Sequence, residues 1–298
     1  MHFTKFFYNK KFQLVGFEPA RNIKNNIKKI TLHKVEYNDR DKLKRLIKKI
    51  NPDEFYHLAA QSRDGHSFNN QFYTFDINLN YTHFLLSSVY DLNKKTKFFN
   101  ASSSEIYEKN PKRKINEETF HNPNSAYGIS KLASFYLVKN YRENYGMHAS
   151  NGILFNHESP IKDEKFVLRK ISKSVAKIKS GLQNKIKLGN IKSKRDWGHA
   201  EDFANAMWMI CQHKKGDDYI IGTGKLHSVE DFARIAFSYV KLNYKKYIKF
   251  DKKFVRKKDS NSRLADPSKI RKILKWKPKY DFKSLVLDMV KSDLNRLK

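Results

Sequence analysis

The sequence has a single cysteine, Cys211, so an internal disulfide is excluded. No glycine precedes Gly16, so no Gly-x-x-Gly-x-x-Gly turn stands anywhere ahead of the first strand-like segment. No apolar run approaches the length of a membrane span, which excludes a helical transmembrane protein. The start, Met1-His-Phe-Thr-Lys, has the wrong order of charged and apolar residues for a signal peptide. The 11 histidines show no spacing with Cys, Asp or Glu that would make a metal site. There are no internal repeats and no low-complexity linker. Together these absences predict a cytoplasmic protein with neither membrane nor metal.

Acidic residues are also scarce. Lys and Arg number 61 against 30 Asp and Glu, a net charge of +31. Such a balance fits a nucleic-acid binder. Yet the basic residues are spread along the whole chain rather than gathered in one tail or stripe. Lys24-Asn-Asn-Ile-Lys-Lys is typical. Dispersed charge predicts no specific nucleic-acid partner, and part of it suits an anionic nucleotide substrate.

The chemistry concentrates between Asn100 and Lys131. Lys97–Ala101 is an apolar run that reads as a buried strand. Ser102-Ser-Ser-Glu105 follows at its carboxyl end, where ligands sit in open α/β sheets. Further on comes Ser125-Ala-Tyr-Gly-Ile-Ser-Lys131. If Ser125 begins a helix, Tyr127 and Lys131 share one face. An ammonium near a phenol stabilises the phenolate, and such a tyrosine can act as a base near neutral pH. The plain alternative is a surface tyrosine and a solvated lysine. The three hydroxyls and the carboxylate upstream favour the functional reading.

Tyr-x-x-x-Lys with an upstream hydroxyl resembles the catalytic set of the extended short-chain dehydrogenase/reductases. Ala101-Ser-Ser-Ser-Glu-Ile-Tyr107 is similar to the Ala-Ser-Thr-Ser-Glu-Leu-Tyr of GDP-mannose 4,6-dehydratases. So are Asn151-Gly-Ile-Leu-Phe-Asn-His-Glu-Ser-Pro160, Arg169-Lys-Ile-Ser-Lys-Ser-Val-Ala-Lys-Ile178 and Lys194-Arg-Asp-Trp-Gly-His-Ala200. The resemblance runs from about Phe12 to Leu294. It implies an α/β fold: a Rossmann-type parallel sheet, with its first strand and Gly-rich loop missing, and a smaller C-terminal substrate-binding domain. Residues 1–155 would form the dinucleotide-binding domain. Residues 156–298 would bind mainly the nucleotide-sugar, with part of 200–225 returning to the first domain.

The reaction implied is loss of water from GDP-mannose to give GDP-4-keto-6-deoxy-mannose. Tyr127, with Lys131, would take the O4 proton as hydride leaves C4. Glu105 would remove the C5 proton, and Ser103 would orient the sugar and the leaving group. The implied cofactor is NADP, with NAD open because Glu18 could take a ribose hydroxyl. Arg21 would meet the 2′-phosphate, and Glu36 and Tyr37 the adenine. Leu58, Ala59, Ala60, Gln61, Ser62 and Tyr73 would line the cofactor with Tyr127, Lys131, His157 and Lys162. Lys162 stands for an arginine, keeping charge but not bidentate geometry. Asn156, Lys170, Arg195, Arg256 and Asp259 would hold GDP-mannose, with Arg169 flanking the pocket beside Lys170. The family also implies a homo-oligomer, a dimer or tetramer.

Departures from the family leave rivals open. Arg63-Asp64 replaces its His-Val pair, and the Gly-rich loop that accepts a pyrophosphate is not in the sequence. Either the true start lies upstream or the main cofactor anchor is lost, and in the second case GDP-mannose would bind better than NADP. The alternatives are another nucleotide-sugar epimerase or reductase, a non-catalytic protein that keeps the pocket, and a nucleic-acid binder.

Among local features, Phe12–Phe17, Leu32–Tyr37, Glu54–Leu58 and Ala149–Phe155 read as strands. Asp39–Ile50, Phe68–Leu92, Ser125–Tyr145 and Lys165–Ser180 read as helices. Residues 1–11 read as the tail of another. Asp202 is the expected N-cap of a helix Phe203–Gln212, Ser228–Asp231 an expected capping box, and Cys211 an expected core residue.

Dispersed charge makes a testable statement about nucleic acids. Binding should be weak, unspecific and steeply weakened by salt, as counterion release requires. A titration of duplex DNA and of RNA at physiological salt checks it, and tight sequence-selective binding there would contradict it.

Overall fold

The computed structural model describes residues 13–18, 30–61, 70–107, 114–255 and 263–297. The chain divides into two compact units. The first comprises Met1–Glu108, Glu117–Leu154 and Ala204–Ile220; the second comprises Lys109–Asn116, Phe155–Phe203 and Ile221–Lys298. The class is the expected one, α/β with parallel strands.

In the first unit β1 (Leu14–Glu18) pairs in parallel with β2 (Ile30–Lys34). β3 (Glu54–His57), β4 (Lys97–Ser103) and β5 (Ala149–Leu154) are parallel, and β6 (Asp218–Ile221) completes a four-stranded sheet of order β6-β5-β4-β3. Parallel strands covered on both faces need near-continuous apolar or small residues, and Phe98, Phe99, Ala149 and Ile153 are all buried. Phe55 stacks on Phe98 across β3 and β4 with ring centroids 5.5 Å apart.

Helix α1 (Arg40–Ile50) starts one residue after the expected Asp39. Asp39 caps it by accepting from the Lys42 N–H, and Asn51 ends it in the left-handed conformation at φ 45°. Leu43 and Ile47 face the core and Ile50 is half-buried. The strand readings were less accurate. β1 lies at Leu14–Glu18 instead of Phe12–Phe17, and β2 ends at Lys34 instead of Tyr37. Glu36 accepts the Asp39 N–H in the turn that feeds α1, which takes Glu36 and Tyr37 out of the strand.

The single helix expected over Phe68–Leu92 is three segments in the described part: α2 (Gln71–Phe75), a π turn (Asp76–Asn80) and α3 (Tyr81–Leu92). The π turn carries Asn78, fully buried, whose side chain bonds backbone and hydroxyl groups of neighbouring elements. That polar demand is invisible to a helical periodicity. Helix α4 (Ala126–Tyr145) is capped by Ser125 and closed by Gly146 at φ 66°. The tail read over residues 1–11 lies outside the described residues.

In the second unit α5 (Val167–Lys179), α7 (Val229–Tyr239) and α9 (Phe282–Leu297) enclose an apolar core that includes Leu168, Ile171, Phe232, Phe237 and Met289. α8 (Ser268–Leu274) belongs to the same unit, whereas α6 (Ala200–Gln212) lies mostly in the first. The capping box at Ser228 and Asp231 is present. Cys211 is buried, and burial pushes its thiol up to about 12.

One expectation is corrected here, that for Asp202. Arg169 borders a cavity that Glu164, Lys173, Asp293 and Arg296 also line. Arg169 is buried in an ion pair with Asp293 and donates to Ser172 Oγ. Asp202 does not cap a helix, because α6 begins at Ala200 with the Glu201 N–H bonded to His199 Nδ1. The Asp202 carboxylate instead accepts from the backbone N–H groups of Lys279 (2.8 Å) and Tyr280 (3.0 Å), and its carbonyl accepts from Trp276 Nε1. Asp202 thus anchors the segment that leads into α9. Asp202→Ala should leave two N–H donors without their acceptor and cost roughly 1–3 kcal/mol. A urea midpoint equal to that of the unsubstituted protein would show that this anchor carries no stability.

Candidate functional site

The carboxyl end of β4 runs into a 3-10 turn, Ser104–Ile106. Burial alternates along it: Ser102, Ser104 and Ile106 point inward, while Ser103 and Glu105 are half-buried on the other side. Ser103 Oγ accepts the Glu105 N–H at 3.2 Å, a local bond that fixes both residues at the strand end.

Helix α4 brings the other pair. Ser125 Oγ accepts the Gly128 N–H at 3.1 Å, which sets the helix start. Tyr127 is half-buried, and Lys131, one turn later, is 3% exposed. Lys131 Nζ donates to the Ala101 carbonyl of β4 at 2.8 Å. Burial pushes the Lys131 ammonium down to about 8, so it keeps most of its charge at neutral pH. Tyr127 precedes this cation by one turn on the same helix.

Gly128 joins the two halves. A Cβ there would lie 2.7 Å from the Glu105 carbonyl oxygen and 2.9 Å from Pro123 Cβ. Only glycine lets the helix start approach the turn that bears Glu105. Ser103, Glu105, Tyr127 and Lys131 are therefore gathered in one place, by a residue that reasoning from the sequence passed over. The signal was there: a glycine inside the first turn of a helix needs a packing reason.

The loop after β3 lies beside them. The Gln61 N–H donates to Asn78 Oδ1 at 2.8 Å, and Asn78 Nδ2 donates to Ser130 Oγ of α4 at 3.1 Å. Asn78 therefore ties Leu58–Gln61 to the helix of Tyr127. It too was missed, although a buried asparagine in an apolar helix is a recognisable anomaly. Beneath, His57 Nε2 lies 2.8 Å from Thr82 Oγ1, whose proton goes to the Asn78 carbonyl; His57 is therefore the donor. Burial and the Lys131 charge hold His57 down to about 3, so it stays neutral. Leu58, Ala59 and Ala60 present small or exposed surface, and Gln61 Oε1 is buried with no hydrogen-bond partner. Tyr37 and Tyr73 meet edge to face at 6.0 Å. Glu36 is exposed. Arg21 and Ser62 lie outside the described residues.

In the second unit, Asn156–Glu158 pairs in parallel with Trp197–His199. Asn156 is exposed; His157 Nδ1 meets the Phe155 carbonyl at 3.0 Å and its ring packs on Phe203. Lys162 Nζ donates to the His157 carbonyl (2.7 Å) and Glu158 Oε1 (2.9 Å) and lies over the Phe166 ring. Lys170 Nζ donates to the Lys187 carbonyl at 2.7 Å and sits 3.6 Å from the centroid of Phe254. Arg195 is half-buried, and its guanidinium bonds Ser193 Oγ and the Lys194 carbonyl. Next to it the buried Asp196 carboxylate accepts from the Thr223 N–H and hydroxyl, the Gly224 N–H and the Ala265 N–H, bracing the strand that carries Arg195. Arg256 and Asp259 lie outside the described residues. Among the described residues no group of three or more His, Cys, Asp or Glu side chains could hold a metal ion, and no helix is long and apolar enough to cross a membrane.

A parallel sheet with a hydroxyl and a carboxylate at one strand end, and a Tyr–Lys pair on the following helix, defines a Rossmann-type short-chain dehydrogenase/reductase. Solved structures of that fold superpose on the chain. RMD from Pseudomonas aeruginosa, complexed with NADPH, gives a TM-score of 0.81 at 23% identity, covering 90% of this chain and 89% of that one. The dTDP-glucose 4,6-dehydratase of Bacillus anthracis, in complex with NAD, gives 0.84 at 19% identity, covering 97% and 91%. The family model for GDP-mannose 4,6 dehydratase matches residues 4–289. GDP-mannose 4,6 dehydratase 1 of Arabidopsis thaliana is 42% identical over 271 residues, 90% of this chain and 75% of the relative. The chain belongs to the GDP-mannose 4,6-dehydratase family.

The Gly128 contact gives a test of the site's construction. Gly128→Ala should force the turn of Glu105 away and cost about 1–3 kcal/mol. Unchanged thermal stability would mean that the helix start and this turn are not in contact.

Proposed function

We propose that the protein converts GDP-mannose to GDP-4-keto-6-deoxy-mannose and water. The observation that carries this reading is the Gly128 approach, which sets the Glu105 turn against the helix of Tyr127 and Lys131. Family membership supports it over an epimerase or reductase, which needs no carboxylate two residues after the hydroxyl.

The sheet end fits a nicotinamide cofactor. Small side chains line Leu58–Ala60, and Gln61 Oε1 is a buried acceptor awaiting a donor. Leu58–Ser62, Tyr73, Tyr127, Lys131, His157 and Lys162 would hold it, with Arg21, Glu36 and Tyr37 at the adenosine end. The charge on Arg21 favours NADP. When bound, the cofactor supplies the hydride acceptor for C4 and the hydride donor for C6.

The chain's own residues do the proton chemistry. Lys131 holds its charge beside Tyr127, whose phenolate takes the O4 proton. The C4 ketone acidifies the C5 proton, and the Glu105 carboxylate removes it. Ser103 hydrogen-bonds the sugar, and the C6 hydroxyl leaves as water with the proton that the Glu105 carboxyl has taken from C5. Glu105 regains a proton from solvent before C5 is reprotonated. Asn156, Lys170, Arg195, Arg256 and Asp259 hold the GDP-mannose anion, the arginines through their planar donors. The protein works as a homo-oligomer.

Tyr127→Phe should block oxidation at C4, lowering kcat by about 10²–10⁴-fold. Glu105→Gln keeps the shape without the base, so it should spare oxidation and block elimination. Nicotinamide absorbance in a single turnover separates the two. Full turnover by Glu105→Gln would remove Glu105 from the mechanism, and full turnover by Tyr127→Phe would overturn the reading.

A further inference from the structure

We infer that Asn151 is a positioning residue for Lys131: its side-chain amide closes a ring of hydrogen bonds around the helix turn that carries the lysine. This rests on Tyr127 and Lys131 being the acid–base pair. Asn151 opens the run Asn151–Pro160, in which Asn156 and His157 are the residues given to substrate and cofactor and Asn151 has had no role.

The ring closes as follows. Lys131 Nζ donates to the Ala101 carbonyl at 2.8 Å. One residue back on β4, Asn100 Nδ2 donates to Asn151 Oδ1 at 2.8 Å, across the register pair Asn100↔Asn151. Asn151 Nδ2 donates to the Phe135 carbonyl at 3.1 Å, one helical turn beyond Lys131. A single amide therefore joins the neighbour of the lysine's acceptor to the neighbouring turn of the lysine's own helix.

The amide cannot turn over. Its second hydrogen goes to Asp218 Oδ1 at 2.8 Å, and Arg142 of α4 holds the Asp218 carboxylate with two bonds of 2.9 and 2.7 Å. Reversal would set Asn151 Oδ1 against the Phe135 carbonyl and against Asp218. Asn100 and Asn151 are both 0% exposed, in the middle of parallel strands where Val and Ile are the usual occupants. An amide at that depth is costly without partners, and Asn151 uses each of its hydrogens. Among the described residues, neutral His57 from β3 feels the Lys131 charge, and Tyr127 precedes Lys131 by one turn on α4. Asp218 and Arg142 stand at the far side of the ring. Asn151 acts through Lys131: it keeps Nζ at the Ala101 carbonyl, one turn from the phenol.

Asn151→Asp turns a donor into an acceptor beside Asp218 and opens the bond to Phe135. Asn151→Leu removes all three bonds without adding charge. The Lys131 ammonium can be followed by NMR in lysine-labelled protein and assigned with Lys131→Met. It should titrate near 8 in the unsubstituted protein. In both Asn151 variants it should titrate about one pH unit higher or more, as Nζ leaves its buried seat. The acid limb of kcat should also move up, because a displaced ammonium stabilises the phenolate less. kcat at neutral pH should fall about tenfold, with KM for GDP-mannose within about twofold. A variant that melts lower, yet keeps both the Lys131 titration and the acid limb, would make Asn151 a stabiliser only and overturn the inference. If the Asn151 variants fail to fold, Asn100→Ala cuts the same ring. Asn100→Ala leaves Asn151 Oδ1 without its donor but keeps the Asn151 bonds to Phe135 and Asp218, and the same two readouts decide. Activity in Tyr127→Phe would sink the acid–base reading instead, while the Lys131 titration would still report on the ring.

Discussion

The hydrogen bond from Lys131 to the Ala101 carbonyl is the constraint on which the rest of the first unit depends. It crosses from a helix to the strand beneath, and it fixes how far along the sheet α4 lies. Ser103 and Glu105 follow Ala101 on the strand, and Tyr127 precedes Lys131 on the helix. One bond thus sets the relation between hydroxyl, carboxylate and phenol. The lysine loses hydration by being there, and its lowered pKa is the measure of that loss. Buried polar groups on either side make the position tenable: the Asn100–Asn151–Asp218–Arg142 ladder on one flank, and the His57–Thr82–Asn78 chain on the other.

The second unit solves a similar problem with backbone donors. Asp196 collects four donors around the strand of Arg195, and Asp202 collects two from the segment before α9. Both carboxylates are buried, and burial pushes both up against the pull of those bonds. Each organises a loop that no regular element could hold. Lys170 and Phe254 meet beside Gly189, whose Cβ would run into the Phe254 carbonyl, so this backbone approach requires glycine.

Much of this was legible in the sequence, and the reasons differ by element. Helix ends with side-chain caps are local chemistry, so the Ser228–Asp231 box could be read directly, and two helix starts were placed at the residues, Asp39 and Ser125, that turn out to be their caps. The α/β class followed from the family's motifs. Strand ends were less legible, because pairing partners distant in sequence decide them: β2 stops where Glu36 turns toward α1. The π turn was hidden, since it exists to let Asn78 reach Gln61 and Ser130. Asp202 looked like a cap because an acid ahead of an apolar run usually is one; its partners lie far along the chain. Gly128 looked like one more residue in a motif until its contact with Glu105 gave it a reason. The Ser102–Glu105 turn and the Tyr127–Lys131 pair could be picked out by type and spacing, and the remaining positions came from the family resemblance. The groups that brace them could not, because they act across the fold.

The measurement that bears most directly on the central claim is the mass of the sugar nucleotide after incubation of GDP-mannose, cofactor and protein in deuterium oxide. Tyr127 and Glu105 acting as base and acid–base predict a product lighter by one water that carries solvent deuterium at C5, where the Glu105 carboxyl returns a proton. Recovery of unchanged GDP-mannose, or of an isomer of the same mass, would contradict the account.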